Sequence, residues 1–430
     1  MKTKIKLCLN VAPVVLGITG ISLGLASCGT KIEDNVLLTN FDVALKNHSN
    51  NVLETGEEDL LIAKNLTPNN GKAYFTFKSS DESIISINEE SGEVKALKEG
   101  SVSLTITEKN SGISKTLQDV KVTEGEENFS ALAPKGAPLL PVYDSVVNKK
   151  GFEIAGNNKE VPVQLKAGKY NYIIFDSVSA LKLTNGFTNG DGGVVESTAN
   201  YTYIGMLTAG NFHLVSRTLE REPKKGDKIL TFMKDNAPDM ALKACYKDLF
   251  ASDNTQNISY VQQNENMPAY LKAGMYEGEE YDYFLIAEPA LTSAKNTASD
   301  LTIKFDLNLN DKVKEITNGK FDYIPQAGLF VKNDYLRLKP NYVSAYWNDV
   351  KRQMTNVYKP NLDTVVETLN SAGDINTQSS TYGFNANLVK KLQANGANKF
   401  GISNPEKEVS IDDINEFLST VNAGFQINKK

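Results

Sequence analysis

From Val36 to Thr123 apolar and polar positions alternate in short runs, at Ala73–Phe77, Ile84–Ile87, Val94–Ala96, Val102–Thr107 and Leu117–Val122. A period of two sends one strand face into a core and the other into water. Turn residues separate the runs, among them Ser91-Gly92 and Lys98-Glu99-Gly100, and no helical period intervenes. Such spacing predicts an all-β sandwich over 36–123. The acidic stretch 124–128 (Glu-Gly-Glu-Glu-Asn) then reads as a flexible linker. Beyond it, over about 300 residues, strands alternate with helices, which suits two α/β lobes. Strands are expected at Ala131–Pro134, Tyr172–Phe175, Phe212–Ser216, Ile229–Thr231, Asn257–Val261, Tyr283–Ala287 and Gly328–Lys332. Helices are expected at Leu139–Asn148, Pro238–Phe250 and Met267–Ala273, from Val178 and Leu291, and over most of the chain after Pro340. Ser410-Ile411-Asp412-Asp413 opens the last as a capped helix. Gly186–Thr208, rich in Gly, Asn and Thr, reads as a loop or hairpin.

Several strands end in a turn whose next residues open a helix. Backbone N–H groups and the positive ends of helix dipoles then point at one crevice, at the carboxyl ends of the strands. Three such junctions come from distant parts of the chain: Lys135–Pro138, Asp176–Ser179 and Ala287–Thr292. They nominate Lys135, Gly136, Ala137, Asp176, Ser177, Ala287, Glu288 and Pro289 as a ligand cleft. Each has a plainer alternative. Glu288-Pro289 reads equally as a turn with proline at the first helical position, and Asp176 and Ser177 as helix caps. Lys135 in a glycine turn is ordinarily solvated. Tyr342, Tyr346 and Trp347 could stack on a ligand but fit a helical core better.

Composition narrows the chemistry. The chain has 430 residues and a formal charge of -6, without a long basic block after the N-terminus, which argues against a nucleic-acid partner. Two histidines, His48 and His213, exclude a histidine-rich metal site, and His213 has no nucleophile motif beside it. No catalytic residues, cofactor or metal are expected. Of three cysteines, Cys8 and Cys28 are N-terminal; Cys245 lies on an apolar helical stripe and reads as a buried inert thiol. At the N-terminus, Lys2, Lys4 and Lys6 precede an apolar stretch from Leu7 to Leu25 broken by Asn10, Pro13, Gly17, Gly20 and Gly24. The breaks and the small residues before Cys28 speak against a transmembrane anchor.

The run Leu25-Ala26-Ser27-Cys28-Gly29 resembles a bacterial lipoprotein signal. The resemblance implies a signal peptide over 1–27, lipid on Cys28, a tether over 28–35 and residence on the extracytoplasmic face of the cell membrane. The stretches 77–87, 91–100 and 102–106, with Ser91-Gly92-Glu93-Val94 and Leu97-Lys98-Glu99-Gly100, resemble the group 2 bacterial Ig-like domain. Phe77 stands where that family usually has tryptophan and is expected to fill the same core slot. The resemblance implies a spacer, or a module for host or cell-surface ligands. Ala133-Pro134-Lys135-Gly136-Ala137-Pro138, Leu165–Ile174, Gly210–Ser216, Ile286-Ala287-Glu288-Pro289-Ala290 and Ile324–Val331 are similar to solute-binding components of ABC importers. The nearest group serves nitrate, sulfonate, taurine and thiamine-precursor uptake. That likeness implies a periplasmic-binding-protein fold with two chain crossings over 129–430. One lobe would take about 129–225 and 325–430, the other about 226–324, with Gln326 added to the site. The implied partners are an ABC permease and a small polar or anionic solute; an adhesin acting through its Ig-like domain is the alternative. No cleft loop carries arginine, which disfavours a bidentate carboxylate clamp.

Overall fold

The alternating runs of the N-terminal part pair as two four-stranded sheets in a computed structural model that describes residues 37–69, 73–251, 254–261, 266–297, 300–359, 361–394 and 401–429. Cys28 and the tether lie outside the described residues. One sheet runs Asn40–Leu45, Glu58–Thr67, Glu93–Ala96, Ile85–Ile87; the other runs Val52–Glu54, Ser114–Thr123, Gly100–Glu108, Phe75–Ser79. Inward side chains from both, including Phe41, Leu61, Leu104, Ile106 and Val120, share one core. Three further strands precede the expected runs; Val52–Glu54 is too short to show a period, and Glu58–Thr67 carries the unbroken run Leu60-Leu61-Ile62-Ala63 in place of a period of two. Phe77 is half-buried and packs against the margin of this core beside Gly92, whereas Phe41 is fully buried within it.

The α/β part forms two five-stranded sheets of matching plan. In the first, Phe152–Ile154, Ala131–Ala133 and Tyr172–Asp176 run parallel, followed by Ala327–Lys332 and Tyr201–Thr208, each antiparallel to its neighbour. In the second, Ile258–Val261, Ile229–Phe232 and Tyr283–Ala287 run parallel, followed by antiparallel Phe212–Ser216 and Phe305–Asn308. Every residue of Tyr172–Asp176, Ile229–Phe232 and Tyr283–Ala287 is buried. Strands covered by helices on both faces read as continuous apolar runs for that reason.

Two expectations change. The second lobe begins near Phe212, not at 226, because Phe212–Ser216 finds its partners in Tyr283–Ala287 and Phe305–Asn308. The stretch read as a loop or hairpin contributes Tyr201–Thr208 to the edge of the first sheet, paired with Ala327–Lys332. In the rest of it, Phe187–Asn189 pairs with Val194–Val195 on one side and with the C-terminal strand Phe425–Ile427 on the other. The chain crosses between lobes at 208–212 and again between Asn308 and Ala327. The crossings run side by side: Gln326 N–H donates to the Thr208 carbonyl at 3.1 Å and Ile324 N–H to the Ala209 carbonyl at 3.0 Å.

Residues 124–128 are not free. Glu124 is buried, and its Oε1 accepts the Asn341 N–H at 3.0 Å; the Tyr342 hydroxyl donates to the Gly125 carbonyl at 2.9 Å. Asn341 Nδ2 donates to Glu99 Oε2 at 2.8 Å, and the Thr55 hydroxyl donates to the Leu338 carbonyl. The sandwich and the acidic stretch therefore dock on the start of the helix Pro340–Tyr358. Acidity alone suggested solvation; here the negative charge meets a helix N-terminus.

Candidate functional site

Parallel strands place their carboxyl ends on one edge of each sheet, and the two edges face one another. Between them lies a cavity of ≈ 360 Å³, within the ~300–1,000 Å³ range of small-molecule sites. The first lobe contributes the turn Pro134–Pro138 and the strand end Phe175-Asp176; the second contributes Phe232, Met233, Pro238 and Ala287–Ala290. Gln326 and Ala327 come from a crossing, and Ser379, Gly383, Phe384, Asn385 and Leu388 from the C-terminal helices. Of the nine residues nominated from sequence, Lys135, Gly136, Ala137, Asp176, Ala287, Glu288, Pro289 and Gln326 line this one cavity.

Ser177 does not. It is fully buried beneath the cavity wall, and its Oγ, 3.1 Å from where a Cβ on Gly328 would stand, makes no hydrogen bond. Its N–H donates to the Gln326 carbonyl at 2.7 Å, so it joins a strand end to a crossing.

The carboxylates are committed. Asp176 Oδ1 accepts the Ser179 N–H at 2.8 Å and caps the helix Ser177–Asn185. Burial raises its pKa, against the pull of the Ser179 and Ala237 N–H groups and Lys182. Ser179 Oγ reaches across to Asn236 Oδ1 at 2.6 Å, so this corner also ties the two lobes. Glu288 Oε2 accepts the Thr292 N–H at 3.0 Å and Oε1 the Thr292 hydroxyl at 2.9 Å, at the start of the helix Ala290–Thr297. The Lys135 ammonium donates to the Ser380 carbonyl. Gly136 has φ 103, a left-handed value that favours glycine, and its N–H donates to the Tyr382 carbonyl at 2.9 Å. That contact brings the Ser379–Leu388 region to the cavity.

Four phenylalanines, Phe175, Phe212, Phe232 and Phe384, line the walls with Met233 and Leu388. Phe232 and Met233 close a fourth strand-to-helix junction of the kind used to nominate the others, so the same rule could have found them. No signal in the sequence pointed to Phe384, Asn385 or Leu388. Tyr346 packs against Tyr172 and Phe129 and Trp347 against Gly205, both away from the cavity. His213 Nδ1 lies 2.6 Å from Asp306 Oδ1, and burial pushes the half-buried Cys245 thiol up to about 12, disfavouring the reactive thiolate. Among the described residues, no group of three or more His, Cys, Asp or Glu could hold a metal ion, and no helix is long and apolar enough to cross a membrane.

No protein-family model matches the chain. No curated protein matches it either. Several solved structures are similar in chain trace. An ABC transporter structure from Parabacteroides distasonis is 14% identical, with 68% of this chain and 91% of that one covered and a TM-score of 0.46. The zinc-bound ligand-binding component of an ABC-type import system from Staphylococcus aureus is 11% identical, with coverage of 68% and 90% and a TM-score of 0.48. The periplasmic aliphatic sulphonate-binding protein from Escherichia coli is 11% identical, with coverage of 69% and 86% and a TM-score of 0.44. What the cleft of this chain can hold has to come from its own residues.

Proposed function

We propose that this protein is an extracytoplasmic solute-binding lipoprotein, anchored through Cys28, whose two α/β lobes close on a small solute and present it to an ABC permease. The observation that carries the reading is the cavity itself: it is walled by strand ends of two sheets of matching plan, joined by two adjacent crossings. Paired crossings are the natural place for a hinge, since a few residues there can change dihedrals without disturbing either core. The N-terminal sandwich, read as an Ig-like domain, acts as a spacer. Support for a spacer over an adhesin comes from its contacts with the first lobe through Glu99, Glu124 and Gly125.

Two measurements test the reading. A solute that binds only the folded chain raises its melting midpoint, and closure of the lobes lowers the radius of gyration in solution scattering. A screen of metabolite-sized solutes should find one that does both. Stabilisation without compaction at saturation would point to a rigid binder. Anchoring is tested separately: Cys28→Ala should abolish lipid labelling and membrane retention, and unchanged labelling would remove the anchor from the account.

A further inference from the structure

We propose that the cleft takes an uncharged or cationic solute with a flat, apolar body, such as a nitrogen heterocycle, and rejects small inorganic anions, because the protein's own carboxylates already sit at the helix N-termini that face it. The proposal rests on the reading of the cavity as a solute site and narrows what that site accepts.

Helix N-termini bind anions through their unpaired N–H groups and dipole. Here those positions are filled or weakened. Glu288 takes the Thr292 N–H and hydroxyl at the start of Ala290–Thr297. Asp176 takes the Ser179 N–H at the start of Ser177–Asn185 and faces the Ala237 N–H of the opposite lobe. Prolines stand second in two more helices at the cavity wall, Pro238 in Ala237–Cys245 and Pro268 in Met267–Ala273, and each removes a donor. Among the described residues, Lys135 is the one lysine of the lining and spends its ammonium on the Ser380 carbonyl, and no arginine or histidine joins it. An anion entering this space would meet the Glu288 carboxylate, the buried Asp176 carboxyl with its acceptor already engaged, and one engaged cation. Much of the remaining wall is aromatic and apolar, with Phe175, Phe212, Phe232 and Phe384 in the lining, which suits a planar ring; Ser293, Ser379 and Asn385 add neutral polar groups. A cationic ring gains further from the same surfaces. Gln326 and Asn158 supply neutral polar groups to orient it.

The test uses the mature full chain and named probes: adenine, cytosine and nicotinamide against nitrate, sulfate and phosphate, each titrated to saturation at fixed ionic strength while the melting midpoint is followed. At least one ring compound should raise the midpoint saturably, by roughly 5 °C at a hundredfold excess over Kd, and none of the anions should at low millimolar concentration. In Glu288→Ala the vacated Thr292 N–H should admit sulfate, so a saturable sulfate response absent from the wild type appears in that variant. Because loss of the cap could unfold the helix, Glu288→Gln serves as the second variant; it keeps an acceptor but removes the charge and should show a weaker sulfate response. Saturable anion binding by the wild type overturns the proposal and leaves the solute-binding reading standing. A sulfate response in neither variant overturns it as well. Silence of every probe in wild type and variants counts against both readings together.

Discussion

Removing the carboxylate of Glu124 should destabilise a lobe to which Glu124 does not belong in sequence. The helix Pro340–Tyr358 opens after Lys339, which offers no side-chain acceptor, and Glu124 Oε1 supplies the missing cap by accepting the Asn341 N–H at 3.0 Å. That helix buries Val343, Tyr346, Val350, Met354 and Val357 in the first lobe, so fraying its first turn is felt in the core. Loss of an N-cap costs about 0.5–2 kcal/mol, and loss of a negative charge at a helix N-terminus about 0.3–1 kcal/mol. The two overlap, because one oxygen provides both, so Glu124→Ala should cost on the order of 1–2 kcal/mol. For a unit of this size the melting midpoint falls about 2–4 °C per kcal/mol. Glu124→Gln keeps the acceptor and loses the charge, and should fall between the wild type and Glu124→Ala. A fragment starting at Asn128 loses the cap together with the Gly125, Glu99 and Thr55 contacts, and should melt below Glu124→Ala. Calorimetry of the four chains reads the order directly. Equal midpoints for wild type, Glu124→Ala and the fragment would mean that 124–128 is an inert tether, and the capping argument would fail.

Two further outcomes follow from the packing and the charges. A Cβ at Gly205 would stand 2.6 Å from the Trp347 ring, the one tryptophan of the chain; Gly205→Ala should cost about 1–3 kcal/mol by overpacking and shift the tryptophan emission, and an unchanged spectrum with unchanged stability would contradict this contact. Burial would raise the Asp306 pKa, but hydrogen bonds and charge from His213 and Lys295 outweigh it and hold the group at about 2. A carboxylate depressed in the folded state stabilises above its unfolded pKa of about 3.9 and loses that contribution as pH falls toward the folded value. Asp306→Asn should therefore lower stability at neutral pH by roughly 1–2 kcal/mol after allowance for partial solvent exposure, and flatten the stability curve between about pH 4 and pH 2. An unaltered acid limb in denaturant titrations would show that the pair contributes nothing.

Periodicity and strand-end chemistry are local properties, which is why the sequence alone determined so much here. An alternating run dictates a half-buried strand, and a continuous apolar run such as Tyr172–Phe175 or Tyr283–Ala287 dictates one covered on both faces. A strand that turns into a helix puts its junction at the carboxyl edge, and parallel pairing gathers those edges, so seven nominated residues from three distant junctions meet at one cavity. Pairing partners are not local. Phe212–Ser216 could have extended either lobe until Tyr283–Ala287 and Phe305–Asn308 claimed its hydrogen bonds, and Tyr201–Thr208 looked like a loop until Ala327–Lys332 paired with it. The same holds for charge. Glu288 could equally have faced a ligand or Thr292, and Glu124 could have faced water or Asn341; only the folded chain places an N–H within 3.0 Å of each. A carboxylate's role is set by the donors around it. Most of those here are brought by turns and by segments far away in sequence, so only the tertiary structure could decide it.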